Sequence, residues 1–200
     1  LGAITLQTSD NRSHYDELIV HLEHRSGRVT FQTSYTLASA YAFAGIVAGV
    51  TGGTGPGGGQ AVAVNSDVPF GPGEWGPSWF DERHRFLISG VVSLPWGIQA
   101  APIFQVASAR PYTLLSGADC NIDGTNNDRL YINPATGQRL FSLNSATLAT
   151  VYVACPLNFV PTPTITCAAC ASAVPVAVNS QRGDAMWDFD TRVSKFINLG

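Results

Sequence analysis

The segment Asp81-Glu-Arg-His-Arg85 holds the densest group of side chains in the chain that could do chemistry. General acid–base catalysis would also need a nucleophile or a metal ion within reach. On a strand, alternation sends Arg83 and Arg85 to one face and His84 to the other, so the cluster does not converge. We therefore predict that these charges pair with acids on neighbouring strands, such as Asp188 or Asp190, and that the chain is not an enzyme.

A second segment, residues 119–124, matches the first half of a calcium-binding loop. Oxygen-bearing side chains alternate at Asp119, Asn121 and Asp123, and a glycine follows at the position of the sharp turn. The bidentate Glu of such a loop is missing, so Asp128 would have to supply a ligand from another direction. Calcium is thus the one metal that the sequence suggests. A hairpin loop rich in Asx and Gly explains the same residues, and we favour it.

The four cysteines are Cys120, Cys155, Cys167 and Cys170. A zinc site would need a second closely spaced Cys or His pair, and a thioredoxin-like motif would need a βαβ context. Neither is present. We predict one or two disulfides in an oxidising compartment. Four cysteines allow three pairings, and the spacing does not choose among them.

Composition excludes several classes of protein. The 200 residues are 45% hydrophobic and only 12% charged, with a net charge of −3. This balance gives no basic surface for a nucleic acid, so no nucleic-acid partner is expected. No run reaches the ~18 apolar residues that a membrane-spanning helix needs.

Apolar and polar residues alternate in five segments, which predicts five strands. Several of them reach the roughly 9–11 residues of a strand that crosses a bilayer at a tilt, whereas ordinary strands have about 5–6. Tight turns follow two of the strands, and very long segments, 42–78 and 114–185, follow others. The predicted strands lie near 15–24, 29–38, 83–94, 98–108 and 186–197.

Long strands, aromatic residues near their ends, and short turns opposite long loops are typical of an outer-membrane barrel. A soluble β-sandwich also alternates apolar and polar faces, so a secreted or surface adhesin stays open as the alternative. Pro102 fits the fourth strand poorly, which predicts a bulge or a position near the periplasmic rim. In a barrel, the charges at the lumen or rim would be Arg83, Arg85, Asp188, Asp190 and Arg192.

Several motifs spread over most of the chain are similar to one family, and the core from Phe80 to Phe86 is the most specific of them. The motifs are Tyr15-Asp-Glu-Leu18, Phe31-Gln-Thr-Ser-Tyr-Thr36, Trp75-Gly-Pro-Ser-Trp-Phe-Asp-Glu-Arg-His-Arg-Phe86, Pro95-Trp-Gly97, Ser108-Ala-Arg-Pro-Tyr-Thr113, Asp123-Gly-Thr-Asn-Asn-Asp-Arg129 and Arg182-Gly183. With them the chain resembles the C-terminal barrel of Oar-like TonB-dependent outer-membrane transporters.

This resemblance implies an all-β, antiparallel transmembrane barrel with long extracellular loops in a bacterial outer membrane. The chain would be a partial barrel domain over residues 1–200, since such barrels have about 22 strands. The implied function is energy-coupled transport, by import or export, of an unknown substrate. The implied partners are outer-membrane lipid and the TonB complex, the latter reached through a plug domain that this chain lacks.

Overall fold

The computed structural model describes residues 12–43, 70–71, 73–122 and 128–197. In these residues the fold is all-β, with three short 3-10 turns at Pro95–Gly97, Pro156–Asn158 and Cys170–Ser172. None of the described residues belongs to a helix that is long and apolar enough to cross a membrane. The strands are β1 Ser13–Ser26, β2 Val29–Phe43, β3 Trp75–Pro77, β4 His84–Leu94, β5 Ile98–Ala107, β6 Pro111–Tyr112, β7 Tyr131–Ile132, β8 Phe141–Asn144, β9 Ala149–Tyr152, β10 Ile165–Thr166, β11 Val174–Pro175, β12 Gln181–Arg182 and β13 Met186–Lys195.

The chain divides into two compact units. The first, called the loop unit, comprises residues 1–13, 41–79 and 111–181, and the second, called the sheet unit, comprises residues 14–40, 80–110 and 182–200. The sheet unit contains long strands at all five positions where the sequence predicts them.

In the sheet unit, the long strands lie in the order β1-β2-β4-β5-β13. The pairings of β2 with β4, β4 with β5, and β5 with β13 are all antiparallel. The tight turn between β4 and β5 requires left-handed backbone, since Trp96 and Gly97 have φ of 63° and 70°. The sheet is open, because among the described residues no further strand pairs with the outer edge of β1 or β13.

The prediction of a bulge or a rim position for Pro102 is wrong. The register of β4 against β5 is the same on both sides of Pro102, with Ser89 opposite Ile103 and Val92 opposite Ala100. Pro102 itself pairs with Thr191 on β13. The proline therefore lies inside an unbroken strand, and its missing N–H is accommodated by a local gap in the ladder toward β4 rather than by an extra residue.

The loop unit has its own small sheets and its own core. One sheet has the order β10-β8-β9, a second pairs β11 with β7, and β3 pairs with the end of β2. The segment 114–185 is thus not one irregular loop, although periodicity gave no sign of its two- to four-residue strands. Most of the other predicted loop, 42–78, lies outside the described residues. The core cluster contains Leu140, Val153 and Cys170, with Tyr131 and Phe159 packed against it.

Candidate functional site

One face of the sheet unit is apolar across four neighbouring strands. The register brings its side chains into cross-strand rows, and many of them are exposed, including Trp187 at 72% and Phe189 at 55%. Leu94 lies eight positions after Phe86 on this face, and eight steps of about 3.4 Å span ~27 Å along the strand. Three of the rows are Tyr35–Phe86–Val106–Trp187, Thr33–Ile88–Phe104–Phe189 and Val29–Val92–Ala100–Val193.

An exposed apolar face of this size is a surface for contact with an apolar medium or a partner. A strand length of ~27 Å tilted by about 35–45° gives a height of about 19–22 Å, slightly less than the apolar band about 25 Å tall that surrounds a membrane barrel. Aromatic rings lie at the end of the sheet where β4 begins, as Tyr35 and Trp187 do, and Trp96 lies in the turn at the opposite end. This distribution is typical of residues at the two interfaces of a bilayer.

The opposite face is polar and carries four of the predicted charges, Arg85, Asp188, Asp190 and Arg192. Gln105 Nε2 donates a hydrogen bond of 3.4 Å to Asp188 Oδ2. Amide and hydroxyl side chains of neighbouring strands also lie next to one another on this polar face. Two rows of this face are Ser34–Leu87–Gln105–Asp188 and Gln32–Ser89–Ile103–Asp190.

The predicted pairing of Arg83 and Arg85 with Asp188 or Asp190 is wrong. Arg83 Nη2 lies 3.6 Å from Asp81 Oδ2, and Arg85 Nη1 lies 3.4 Å from Glu82 Oε2. The acids just before β4 are closer to these guanidinium groups than acids two strands away, because neighbouring strands are separated by about 4.8 Å. The two arginines of the cluster at 81–85 therefore pair with acids of the same segment.

Asp81 is the buried centre of this cluster, and its side chain is inaccessible to solvent. Its Oδ1 accepts a hydrogen bond of 2.8 Å from the backbone N–H of Ala40, and its Oδ2 is paired with Arg182 as well as Arg83. Arg182 Nη1 also donates to the backbone oxygens of Asp81 and Ala109, at 3.0 and 2.9 Å. Asp81 and its partner Arg182 together therefore connect β2, the segment before β4, the segment after β5, and β12.

Sequence reasoning did not find the partners of this network. Arg182 lies 101 positions from Asp81. Arg110, whose Nη2 lies 2.7 Å from Glu82 Oε1, follows β5 and belongs to no charge pattern along the chain. The only available signal was that both arginines come directly before or after a predicted strand.

Two disulfides are present, as the sequence allows, and the structure selects one of the three pairings. Cys120 is bonded to Cys155 and Cys167 to Cys170, with Cα–Cα distances of 5.0 and 5.5 Å. Asn158 Nδ2 donates to the backbone oxygen of Cys120, which fixes the same part of the loop unit. The Cys167–Cys170 motif therefore closes a covalent ring beside the core rather than holding a metal.

The candidate calcium ligands are only partly brought together. Asp128 is buried, and its Oδ2 accepts hydrogen bonds from the backbone N–H groups of Cys120 and Asn121. Asp123 lies outside the described residues. In the part of the chain that the structure describes, no three His, Cys, Asp or Glu side chains are grouped to hold a metal ion. Calcium binding by Asp119, Asn121, Asp123 and Asp128 stays a prediction.

A buried ion pair stabilises the loop unit near Asp128. Arg129 Nη2 lies 3.1 Å from Glu74 Oε1, while Arg129 Nη1 donates to the backbone oxygens of Gly73 and Val176 at 2.9 and 3.0 Å. The pKa of the neighbouring Tyr131 is raised, first by burial and then by the charge of Asp128, with Arg129 acting in the opposite direction. Burial and the charge of Asp128 thus favour the neutral form of Tyr131.

The two disulfides are expected to contribute unequally to stability. Replacing Cys120 and Cys155 by Ala should lower the free energy of unfolding of the loop unit by about 2–3 kcal/mol, because the bond closes a separation of 35 residues. Replacing Cys167 and Cys170 by Ala should cost about 1–2 kcal/mol, since only 3 positions separate them. Limited proteolysis in increasing urea measures both. Equal losses in the two double variants would contradict the expectation.

Comparison with known protein families gives a match. The family model described as "Outer membrane beta barrel domain" matches residues 1–200, the whole chain. No curated protein and no solved structure matches it significantly.

Proposed function

Because this chain belongs to the outer membrane β-barrel domain family, we propose that it forms part of the wall of a TonB-dependent transporter. The family places the protein in the bacterial outer membrane. The observation that carries the transport proposal is the register of the sheet, which separates a polar, charged face from an apolar one. In a barrel, these become the lumen lining and the lipid-facing wall.

The polar face supplies the groups that a passing solute would meet. Asp188, Asp190 and Arg192 are exposed on β13. Mixed charges and amide groups suit a hydrated passage rather than a packed core, because unpaired charges are costly to bury. In this proposal the chain does no covalent chemistry and needs no cofactor. The substrate is unknown, and the loop unit captures it or gates its entry.

Energy coupling is the part of the proposal that rests on the resemblance of the sequence motifs. TonB would act on a plug domain that is separate from this barrel segment. The alternative, a secreted or surface β-sandwich adhesin, is supported less well. A sandwich needs a second sheet over its apolar face, and within the described residues of the sheet unit no such sheet is present.

The transport proposal can be tested on the whole protein purified from outer membranes. We expect it to bind the purified periplasmic domain of TonB and to conduct ions poorly in a planar bilayer. A freely conducting pore with no affinity for TonB would overturn energy-coupled transport while leaving the barrel intact. A water-soluble protein without heat-modifiable migration on gels would instead support the adhesin.

A further inference from the structure

A groove of about 300 Å³ lies in the sheet unit, at the end of the sheet where β4 begins. Three of its residues, Tyr35, Phe86 and Val106, form one cross-strand row of the apolar face. The groove is thus a recess in the apolar face itself. Its lining residues are Tyr35, His84, Phe86, Val106, Ala107, Ser108 and Ala185.

The polar groups at this groove are bonded to one another. Tyr35 Oη lies 2.8 Å from His84 Nδ1, and the two rings are stacked with centroids 6.2 Å apart. The backbone N–H of His84 donates to Ser108 Oγ at 3.0 Å, and the N–H of Ser108 donates to the His84 oxygen at 2.8 Å. The surface left to a ligand is therefore aromatic and aliphatic, which favours a hydrocarbon over a polar ligand.

An added peptide strand does not fit this place. The groove is lined largely by β2, β4 and β5, which all have a neighbour on each side in the order β1-β2-β4-β5-β13. Their ladder groups are used within the sheet, so there is no open edge for strand addition. The occupant must bind through side-chain contact alone.

We propose that the groove binds an acyl chain of a lipid in the outer leaflet of the membrane. The groove continues the apolar face, which we assign to the lipid-facing wall of the barrel. It lies at the end away from the tight turn Pro95–Gly97, and in outer-membrane barrels the short turns are periplasmic. The volume is at the lower end for a small-molecule site, which suits one segment of a flexible chain. The proposal requires the lipid-facing assignment but not energy-coupled transport.

Native mass spectrometry of the protein extracted from outer membranes in a mild detergent tests this site. The test variant is Ala185→Phe, which fills the groove from an exposed position. The matched control is Ala100→Phe, on the same apolar face between Val92 and Val193. We expect wild type and control to retain one lipid, and Ala185→Phe to lose about tenfold in lipid occupancy.

Heat-modifiable migration on gels shows whether each variant is folded, so loss of lipid is not confused with loss of the barrel. If folded Ala185→Phe retains lipid as wild type does, the site is not the groove. A wild-type protein that carries detergent only, and does not exchange it for added lipopolysaccharide, the lipid of the outer leaflet, also overturns the proposal. Neither result bears on binding to TonB.

Discussion

Replacing Asp81 with Ala is expected to lower the free energy of unfolding by about 3–5 kcal/mol. The substitution leaves the buried N–H of Ala40 without its acceptor and removes the shared partner of Arg83 and Arg182. The two arginine side chains are each 36% exposed and can be partly rehydrated. The largest part of the lost stability therefore comes from the buried Ala40 N–H, which no longer has an acceptor, and from the empty volume that the carboxylate leaves. Urea unfolding in detergent micelles measures the change.

Two further variants test whether the loss of stability is specific to the buried carboxylate of Asp81. Asp81→Asn keeps an oxygen for the Ala40 N–H but loses the negative charge, so its loss should fall between those of wild type and Asp81→Ala. Asp190→Ala removes an exposed carboxylate from the same unit and should change stability by less than about 1 kcal/mol. If Asp81→Ala is as stable as Asp190→Ala, Asp81 does not organise the ends of these strands.

Replacing Phe189 with Arg is expected to destabilise the membrane-inserted protein by about 2–4 kcal/mol, the cost of an arginine near the bilayer midplane on a lipid-facing strand position. Phe189 lies in the middle of β13, in the apolar row with Phe104. The next residue, Asp190, lies on the opposite face of the same strand. Asp190→Arg, the matched control, should be tolerated because a hydrated lumen accepts either charge. Unfolding from lipid vesicles measures both variants.

The two arginine variants also test which face of the sheet is in contact with lipid. If Asp190→Arg were the more damaging change, the polar face would be the one in contact with lipid or protein. Equal tolerance of both variants would mean that neither face is in the bilayer. Either result would contradict the assignment of the apolar face to lipid.

Much of the fold could be predicted from alternation alone. Long strands with a period of two residues require one apolar face and one polar face, because successive side chains point to opposite sides. The prediction of an all-β, antiparallel membrane barrel is confirmed by the fold and the family match. The short strands of the loop unit could not be predicted, since two to four residues carry too little periodicity.

The charged cluster shows where sequence reasoning reached its limit. That the charges of this segment would form ion pairs could be predicted from their residue types, and Asp81, Arg83 and Arg85 do form them. Their partners could not be predicted, because the pairing of Asp81 with Arg182 depends on two distant segments meeting at the end of the sheet. The disulfide pairing could not be predicted for the same reason, since chain spacing does not determine which sulfur atoms approach each other.

By itself, then, the sequence determined the class of fold, the two faces of each long strand and the bilayer-matched strand length, because these depend on local periodicity. Only the tertiary structure decided the register, the ion-pair partners, the disulfides and the groove beside Tyr35 and His84. Each of these depends on which residues of different strands come to lie side by side. In a sheet, a shift of one residue in register would exchange every such neighbour.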